Sequence, residues 1–398
     1  MNKKSIYFSI IFIPLIGLGI YAWQYFGGGA KESAPGEKVV MNASDTYKEE
    51  HKDKEPVEIV VEEVVGGLEV PWSMAFTSPT RILVTERPGR VRAVVEGVLL
   101  EKPLYTFAEV STTGEEGLMG MALDPHYDQN HWVYFSYAYN TGSTLAVRVV
   151  RLTDTGETLT DPFTLLEGIP AAQYHAGSRI AFGPDQLLYV TTGDATNKNI
   201  AQDLKSLGGK ILRMNKDGSV PEDNPFEGSL VYSYGHRNSQ GLAWNKENGE
   251  LYATEHGPSV FDGPAGGDEI NHILPGENYG WPLVSHKEKK DGTEKPMLLF
   301  TPAVAPSGAT FYTGTKIPQF TGKFFFAGLK GEGVYEVEID EDDPNDVKSY
   351  EKLAEVDFGR IRDILEGSDE ALYFLTSNRD GRGKPASGDD KIYRIRAK

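Results

Sequence analysis

The sequence predicts an all-β fold, a six-bladed β-propeller built from four-stranded antiparallel blades. First, a unit of short apolar strands recurs six times, with 48 to 73 residues between the starts of successive second strands. Second, 44 glycines and 23 prolines favour tight turns between short strands over long helices. Third, a partly alternating strand at residues 57–65 precedes the first unit, where it can pair with the last unit and close a ring.

The second strand of each unit is strongly apolar and ends in small or polar residues. These strands are expected at residues 81–85, 132–136, 187–191, 250–254, 323–327 and 371–375. A strand precedes each of them, at residues 72–76, 118–123, 179–182, 241–244, 308–312 and 362–365. A third strand follows and is clearest at residues 89–92, 210–213, 333–337 and 391–395. Repeated short strands rich in β-branched and aromatic residues are typical of propeller blades.

The chain ends at Lys398, directly after the third strand of the sixth unit. The early strand at 57–65 can therefore supply the fourth strand of that blade, a role that a sandwich or a two-domain arrangement would not give it. We expect residues 57–398 to form one propeller domain.

The N-terminal 26 residues are the one membrane-directed segment. Lys3 and Lys4 precede a run of about twenty uncharged apolar or small residues, long enough to span a bilayer with the lysines inside. This length favours an uncleaved anchor; the alternative is a cleaved signal peptide, with the cut within residues 27–30. Residues 27–56 are polar and predict a flexible tether. In either case the propeller is expected outside the cytoplasm, and the anchor would attach it to the membrane.

Composition excludes several classes of function. A net charge of −18 argues against nucleic acid as a partner, because phosphate binding needs a basic face. The absence of cysteine excludes disulfides, thiolate zinc sites and cysteine nucleophiles. The sequence also lacks a Gly-x-Ser-x-Gly nucleophile turn, a dinucleotide fingerprint and a phosphate-binding glycine loop.

In a propeller, the loops that lead into first strands and the loops that leave second strands lie on the same face of the disc. The chemically distinctive residues of this sequence fall in those loops. These residues are Glu115, Glu116, His175, Asp194, Arg237, Asn238, His256, Lys330, Arg360 and Arg362. Several cations converging in an acidic protein indicate a small-molecule ligand with carboxylates; the alternative is that each cation pairs with a nearby acid. His175 is either a general base near neutral pH or a structural histidine.

Two segments of the same region, 255–258 and 266–271, combine carboxylates with backbone carbonyls in glycine-rich loops. Calcium prefers such oxygen ligands, and no histidine pair has zinc-ligand spacing. The segments therefore indicate a calcium site, with an acid-rich solvated loop as the alternative.

These motifs together resemble the soluble quinoprotein sugar dehydrogenases, in particular the aldose sugar dehydrogenases that use pyrroloquinoline quinone (PQQ). The resemblance covers essentially residues 57–398. Its most specific stretches are residues 67–72, 117–125, 173–182, 202–210, 221–226, 234–241, 255–258, 266–271 and 278–282, with the loops of Lys330, Arg360 and Arg362.

The resemblance implies a role for each matching residue. His175 would lie beside the quinone and would take the proton of the sugar's anomeric hydroxyl as hydride passes to the quinone. Arg237 would stabilise the charge developing on the quinone oxygen, and Asn238 would contact the cofactor. The PQQ carboxylates would be bound by Lys330, Arg360 and Arg362.

Metal ligands are also implied by the resemblance. The carbonyls of Gly257 and Pro258 would bind the calcium that PQQ itself helps to coordinate. Glu269 and the Tyr279 carbonyl would bind a second, structural calcium.

The chain departs from the family pattern in four places, one of which is Ala176-Gly177-Ser178, where the family has Gly-Gly after the base. Glu115, in the expected cofactor site, replaces a common glutamine, so that sugar preference or pH dependence can differ. Tyr174 stands before the base, where Asn or Asp is frequent. Residues 259–265 lengthen the loop beside the expected calcium.

The sequence thus predicts an extracytoplasmic, PQQ- and calcium-dependent dehydrogenase that oxidises aldoses to lactones and passes electrons to an external acceptor, as a monomer or dimer. A calcium-dependent lactonase-type hydrolase, with His175 acting on water, would leave the cation group without a purpose. A non-catalytic extracellular binding propeller would be expected to have lost the histidine or the cations, and both are present.

Overall fold

The computed structural model of the chain describes residues 55–398, in which 25 strands form six antiparallel sheets. Five sheets have four strands, and the first has a short fifth strand, so the predicted six-bladed propeller is confirmed. The predicted anchor at 1–26, and the tether as far as residue 54, lie outside the described residues. Between residues 55 and 398, no helix has the length and apolar character needed to cross a membrane.

The strands follow the chain blade by blade, apart from β1 (Ile59–Val65), which belongs to the last blade. The first blade contains β2 (Pro71–Ser78), β3 (Arg81–Glu86), β4 (Arg90–Val95), β5 (Val98–Leu99) and β6 (Tyr105–Thr106). The second contains β7 (Leu118–Leu123), β8 (Trp132–Asn140), β9 (Leu145–Asp154) and β10 (Leu159–Ala171). The third contains β11 (Ile180–Phe182), β12 (Leu188–Thr191), β13 (Lys210–Met214) and β14 (Val231–Tyr234).

The remaining blades have the same order from the inner strand outwards. The fourth contains β15 (Ser239–Trp244), β16 (Leu251–Glu255), β17 (Asp268–Ile273) and β18 (Leu298–Phe300). The fifth contains β19 (Pro306–Phe311), β20 (Phe324–Gly328), β21 (Gly333–Ile339) and β22 (Val347–Lys352). The sixth contains β23 (Ile361–Glu366), β24 (Leu372–Thr376), β25 (Ile392–Ala397) and β1. Helical turns are confined to α1 (Tyr127–Asn130), Lys198–Gln202 and Pro318–Phe320 within the described residues.

The ring is closed by the N-terminal strand, as the sequence predicts. β1 pairs antiparallel with β25, with Ile59 opposite Ala397. Glu62 on β1 accepts hydrogen bonds from Arg394 and Arg396 on β25. The first and last described strands therefore complete one sheet.

Hydroxyl side chains on second strands connect neighbouring blades. Each donates to a carbonyl that leads into or lies on the inner strand of the next blade. The bonds, each 2.7 Å long, join Thr85 to Met119, Ser136 to Ser178 and Thr254 to Ser307. Gly120 is required at this approach, because a Cβ there would lie 2.2 Å from the Ser178 oxygen.

The core lies between the blades. Six clusters of buried hydrophobic residues join neighbouring blades, as where Leu83 and Val91 of the first blade meet Val133 and Phe135 of the second. Because apolar packing is confined to these interfaces, the axis and the loop face can carry polar groups.

A buried polar network crosses the axis below the loop face. The Arg179 guanidinium lies 3.0 Å from the Asp363 carboxylate and donates from Nε to the Gln240 carbonyl. Asp363 also accepts the backbone N–H of Met74. Arg179 stacks over Trp72 at 4.3 Å. The network connects four blades below the loop face.

Candidate active site

A cavity of about 640 Å³ opens on the face where the loops converge. Eleven of the residues selected from the sequence line it: Glu115, Glu116, His175, Arg237, Asn238, His256, Gly257, Pro258, Lys330, Arg360 and Arg362. This volume suits an organic ligand the size of a cofactor or drug molecule. Glu269 and Tyr279 line a separate cavity of about 10 Å³, which shares Gly257 and Pro258 with the first.

The buried His175 ring is held by a carboxylate that the sequence analysis left without a role. His175 Nδ1 lies 2.8 Å from Asp194 Oδ1, and the other carboxylate oxygen accepts Trp281 Nε1–H at 2.8 Å. The Thr196 N–H also donates to Asp194 Oδ1. An ionised carboxylate only accepts hydrogen bonds, so it fixes the imidazole proton on Nδ1. Nε2 is thereby left as a proton acceptor.

The backbone around His175 is strained and supported. His175 has φ of 61°, a left-handed conformation that is unfavourable for a residue with a Cβ. Its carbonyl accepts the Ala195 N–H, and a Cβ on Gly193 would lie only 1.8 Å from that carbonyl oxygen. The loops on either side of β11 and β12 can meet only because residue 193 is glycine.

Two of the four selected cations are paired with acids. Arg237 Nε donates to Asp262 Oδ2 at 2.8 Å, and Arg360 Nε donates to Asp380 Oδ2 at the same distance. Arg237 and Arg360 therefore have nearby acid partners, which was the alternative to their binding an anionic ligand.

Arg362 has a different environment. Its Nη1 donates to the neutral Gln240 side chain at 2.7 Å, and its buried Nε has no partner in the described chain. Burial lowers the pKa of Arg362 to about 9, so the group is still charged at neutral pH. Lys330 is exposed at the same cavity. These two cations supply positive charge that a ligand can use.

A second buried donor in the cavity is similarly unpartnered. Asn238 Oδ1 accepts the Gly177 N–H at 3.0 Å, which fixes the amide orientation. Its Nδ2 has no partner among residues 55–398. Buried donors are normally hydrogen-bonded, so the Arg362 Nε and Asn238 Nδ2 groups fit a ligand that brings acceptor atoms.

The loop at Gly257 and Pro258 holds backbone carbonyls in fixed positions. Asp268 accepts the N–H of Gly257 at 2.8 Å and also accepts two N–H groups of the loop before β19. A Cβ on Gly257 would lie 2.2 Å from the Gly267 oxygen, so the turn needs glycine. Constrained carbonyls of this kind suit a hard cation.

The smaller cavity contains two close carboxylates. Burial and the neighbouring charge of Glu255 raise the pKa of Glu269 to about 8. The nearby Asn271 Oδ1 is buried without a partner within the described part of the chain. Oxygen donors around a space for a single ion or water form a set that can hold a calcium ion.

Comparison with known proteins identifies the family. The family model described as Glucose / Sorbosone dehydrogenase matches residues 68–393. The chain belongs to this family. The resemblance predicted from the sequence motifs is thereby confirmed.

Several relatives within the glucose/sorbosone dehydrogenase family are enzymes by name. The chain is 32% identical to aldose sugar dehydrogenase YliI of Escherichia coli, over 82% of this chain and 92% of that one. It is 32% identical to quinoprotein glucose dehydrogenase B of Acinetobacter calcoaceticus, over 67% and 63% respectively. The PQQ-bound aldose sugar dehydrogenase of Streptomyces coelicolor matches in structure with a TM-score of 0.76 and 36% identity, over 87% of this chain and 100% of that one.

Two departures from the family pattern meet at the mouth of the cavity. Glu115 Oε1 pairs with Arg382 Nη1 at 2.6 Å, and the Arg382 guanidinium lies 5.8 Å from the Tyr174 ring centre. The cofactor-binding role of Glu115 stays a prediction. Beside it, burial and the charge of Glu115 raise the pKa of Glu116 well above its usual range.

Sequence reasoning missed several contributors to this site, among them Asp194, Phe261, Asp262 and Arg382. Asp194 was placed on the correct face, and its position after the second strand of the same unit as His175 was the available signal. Phe261 and Asp262 lie in the 259–265 loop, which sequence analysis noted only for its length. No local pattern indicates that this loop reaches His175 and Arg237.

Proposed function

We propose that the chain is an aldose dehydrogenase that oxidises the anomeric hydroxyl of sugars to a lactone, with PQQ and calcium as cofactors. The observation that carries this proposal is one cavity holding a carboxylate-oriented histidine and two buried, unpartnered donors. The histidine provides a base for a hydroxyl proton, and the donors fit a polyanionic ligand. Family membership supplies the sugar substrate class.

The residues of the cavity would divide the binding of PQQ between them. Lys330, Arg360 and Arg362 would bind its carboxylates, because a charged or forked donor suits such groups. Arg237 and Asn238 would donate to acceptors at the quinone end. When bound, PQQ supplies the quinone that accepts hydride from the anomeric carbon, and calcium polarises it.

His175 would act directly on the sugar. Nε2 would accept the anomeric O–H proton. Loss of this proton leaves negative charge on the anomeric oxygen, which promotes departure of the hydrogen on the anomeric carbon as hydride. Loss of one proton and one hydride converts the hemiacetal to a lactone. Asp194 would stabilise the imidazolium formed, since its charge faces the protonated Nδ1.

Calcium would occupy two places. The carbonyls of Gly257 and Pro258 would hold the ion next to the cofactor. Glu269 and the Tyr279 carbonyl would hold a second ion, which offsets the repulsion between the Glu255 and Glu269 carboxylates. The first role is chemical and the second structural.

We further propose that the protein works outside the cytoplasm, attached to the membrane by residues 1–26. Reduced cofactor would then pass its electrons to an external acceptor. Fractionation of cells that express the full-length chain, with and without residues 1–26, tests this: loss of the membrane-bound fraction on truncation is expected.

The activity is tested with the purified full-length chain, PQQ, Ca²⁺ and an artificial dye, using glucose and other aldoses. Dye reduction that needs all three of PQQ, Ca²⁺ and sugar, with lactone as the product, is expected. The absence of both turnover and any change in the PQQ absorption spectrum on mixing would contradict the proposal. Hydrolysis of added lactone without PQQ would instead identify the hydrolase alternative.

A further inference from the structure

The loop at residues 259–265 is an ordered turn. The Ser259 carbonyl accepts the N–H groups of Asp262 and Gly263 at 3.0 and 2.9 Å. The Ser259 N–H donates back to Asp262 Oδ1 at 2.7 Å. At its base, the Gly266 N–H donates to the Pro258 carbonyl. The conformation of the turn is thus fixed by hydrogen bonds within residues 258–266.

The turn is also attached to the cavity wall. Asp262 Oδ2 accepts Arg237 Nε–H at 2.8 Å, and Arg237 Nη2 donates to Ser259 Oγ at 3.2 Å. Both charged side chains are largely buried, with 12% of Asp262 and 3% of Arg237 exposed. A buried ion pair therefore determines where the tip of the loop lies.

The tip presents apolar side chains to solvent. Phe261 is 65% exposed, yet its ring lies nearly parallel to the His175 ring, 19° apart with centres separated by 5.8 Å. The Tyr174 ring is 6.5 Å from Phe261. A single exposed apolar residue is common on protein surfaces. Here two aromatic rings lie together beside the proposed base, at the mouth of the cavity.

Polar groups continue the rim on the other side of Tyr174. Arg382 lies against that ring and pairs with Glu115, so that guanidinium donors and carboxylate acceptors adjoin the aromatic surface. A pyranose has matching chemistry, with a face of C–H groups attracted to the π cloud and hydroxyls at its edge.

We propose that Phe261 and Tyr174 form the surface on which the sugar ring stacks, with Arg382 and Glu115 as partners for its hydroxyls. Phe261 is then a specificity-determining residue that favours ring-closed aldoses over open-chain polyols. The inference rests on the proposed aldose substrate, and it gives the 259–265 loop and the Tyr174 departure a common purpose.

The first test compares Phe261→Ala with Phe261→Trp and with Val260→Ala, a matched control that is 88% exposed on the same turn. Phe261→Ala is expected to raise KM for glucose about tenfold, while kcat stays within about twofold of wild type. Phe261→Trp retains an aromatic face and should have a KM closer to that of wild type than Phe261→Ala, whereas Val260→Ala should keep the wild-type KM. PQQ affinity, followed by spectral titration, and the melting temperature should not change in any variant.

The second test does not depend on turnover. Methyl glucoside has a blocked anomeric oxygen, so it can bind without being oxidised there. Saturation-transfer NMR on the full-length protein is expected to show its ring C–H protons contacting the wild type, with loss of this signal in Phe261→Ala and retention in Val260→Ala.

The outcomes separate the two proposals. If the wild type oxidises no aldose but binds the glycoside through Phe261, the oxidation proposal fails and the stacking surface stands. If Phe261→Ala leaves KM and the NMR signal unchanged, or if the wild type binds no glycoside, the stacking surface is wrong. Loss of PQQ binding or of thermal stability in Phe261→Ala would likewise overturn it, by giving the ring another role.

Discussion

Replacing Asp194 by asparagine tests whether His175 is the base. The Asp194 carboxylate accepts three hydrogen bonds, from His175, from the Thr196 N–H and from Trp281. Asparagine has the same shape but must put an NH₂ group at one of the two oxygen positions. If the NH₂ group points toward Trp281, it faces the indole N–H, which is also a donor. If it points toward His175, it faces the Thr196 N–H and forces the imidazole proton from Nδ1 onto Nε2, so that Nε2 can no longer accept a proton.

The magnitude follows from the contacts that are lost. A hydrogen bond to a charged group contributes about 1.5–3 kcal/mol, so losing the carboxylate's interaction with the imidazolium slows the reaction about 10- to 150-fold. The wrong tautomer removes general-base catalysis, which contributes about 10²- to 10⁴-fold. We therefore expect Asp194→Asn to lower kcat by about 10²- to 10⁴-fold, with KM and PQQ affinity nearly unchanged.

The assay is dye-linked aldose oxidation at saturating PQQ and Ca²⁺, with a PQQ titration and a melting curve on the same samples. Trp281→Phe is the control, because it removes the bond to the far carboxylate oxygen, keeps an aromatic ring near Arg237 and leaves the His175–Asp194 pair in place, and it should lower kcat by less than about tenfold. If Asp194→Asn retains kcat within about threefold of wild type, the His175–Asp194 pair is structural and the base has been misassigned.

Three other perturbations have expected outcomes. Arg362→Gln should weaken PQQ binding by about 10- to 100-fold in a spectral titration, because its unpartnered charge is lost; an unchanged affinity would place the PQQ carboxylates elsewhere. Ca²⁺ at about 100 times its Kd should stabilise the protein by about 2.7 kcal/mol in denaturant titrations, and Glu269→Gln should reduce that gain; equal gains would remove Glu269 from the metal site. Hydrogen bonds from Arg396 and Arg394 lower the pKa of Glu62 from 4.5 to about 2. The stabilisation that ionised Glu62 gives to ring closure is therefore complete above pH 4.5 and is lost as pH falls through 2. The protection factors of the β1 amides in hydrogen exchange, which are corrected for the intrinsic exchange rate at each pH, should therefore fall across that range in wild type, and the same acid response in Glu62→Gln would show that Glu62 is not responsible.

The sequence predicted the strands well because strand signals are local. The second strand of the first unit, expected at 81–85, is β3 (Arg81–Glu86), and that of the third, expected at 187–191, is β12 (Leu188–Thr191). Closure by β1 was also predictable, since the last unit lacked a fourth strand. The extra short strand β6 (Tyr105–Thr106) was not, because two residues carry no periodic signal.

The sequence predicted which loops form the site more securely than it predicted which side chains contact one another. Propeller topology alone places His175, Arg237 and Arg362 on one face. Whether a cation is paired depends on loop conformation, and so the pairing of Arg237 with Asp262 was not readable from the sequence. The pairing of Asp194 with His175 could have been predicted by one further inference. The loop before the first strand of a blade and the loop after its second strand are neighbours.

The closing strand has a consequence for how the chain reaches this structure. Among the described strands, β1 is the first to be synthesised and its partner β25 is the last. Until then, the Ile-Val-Val-Glu-Glu-Val-Val segment of β1 is an edge without a neighbour and is prone to pair with other chains. Glu62 and Glu63 lie in the middle of that segment, where charge opposes aggregation. The acid that later helps to close the ring thus also protects the unfinished chain.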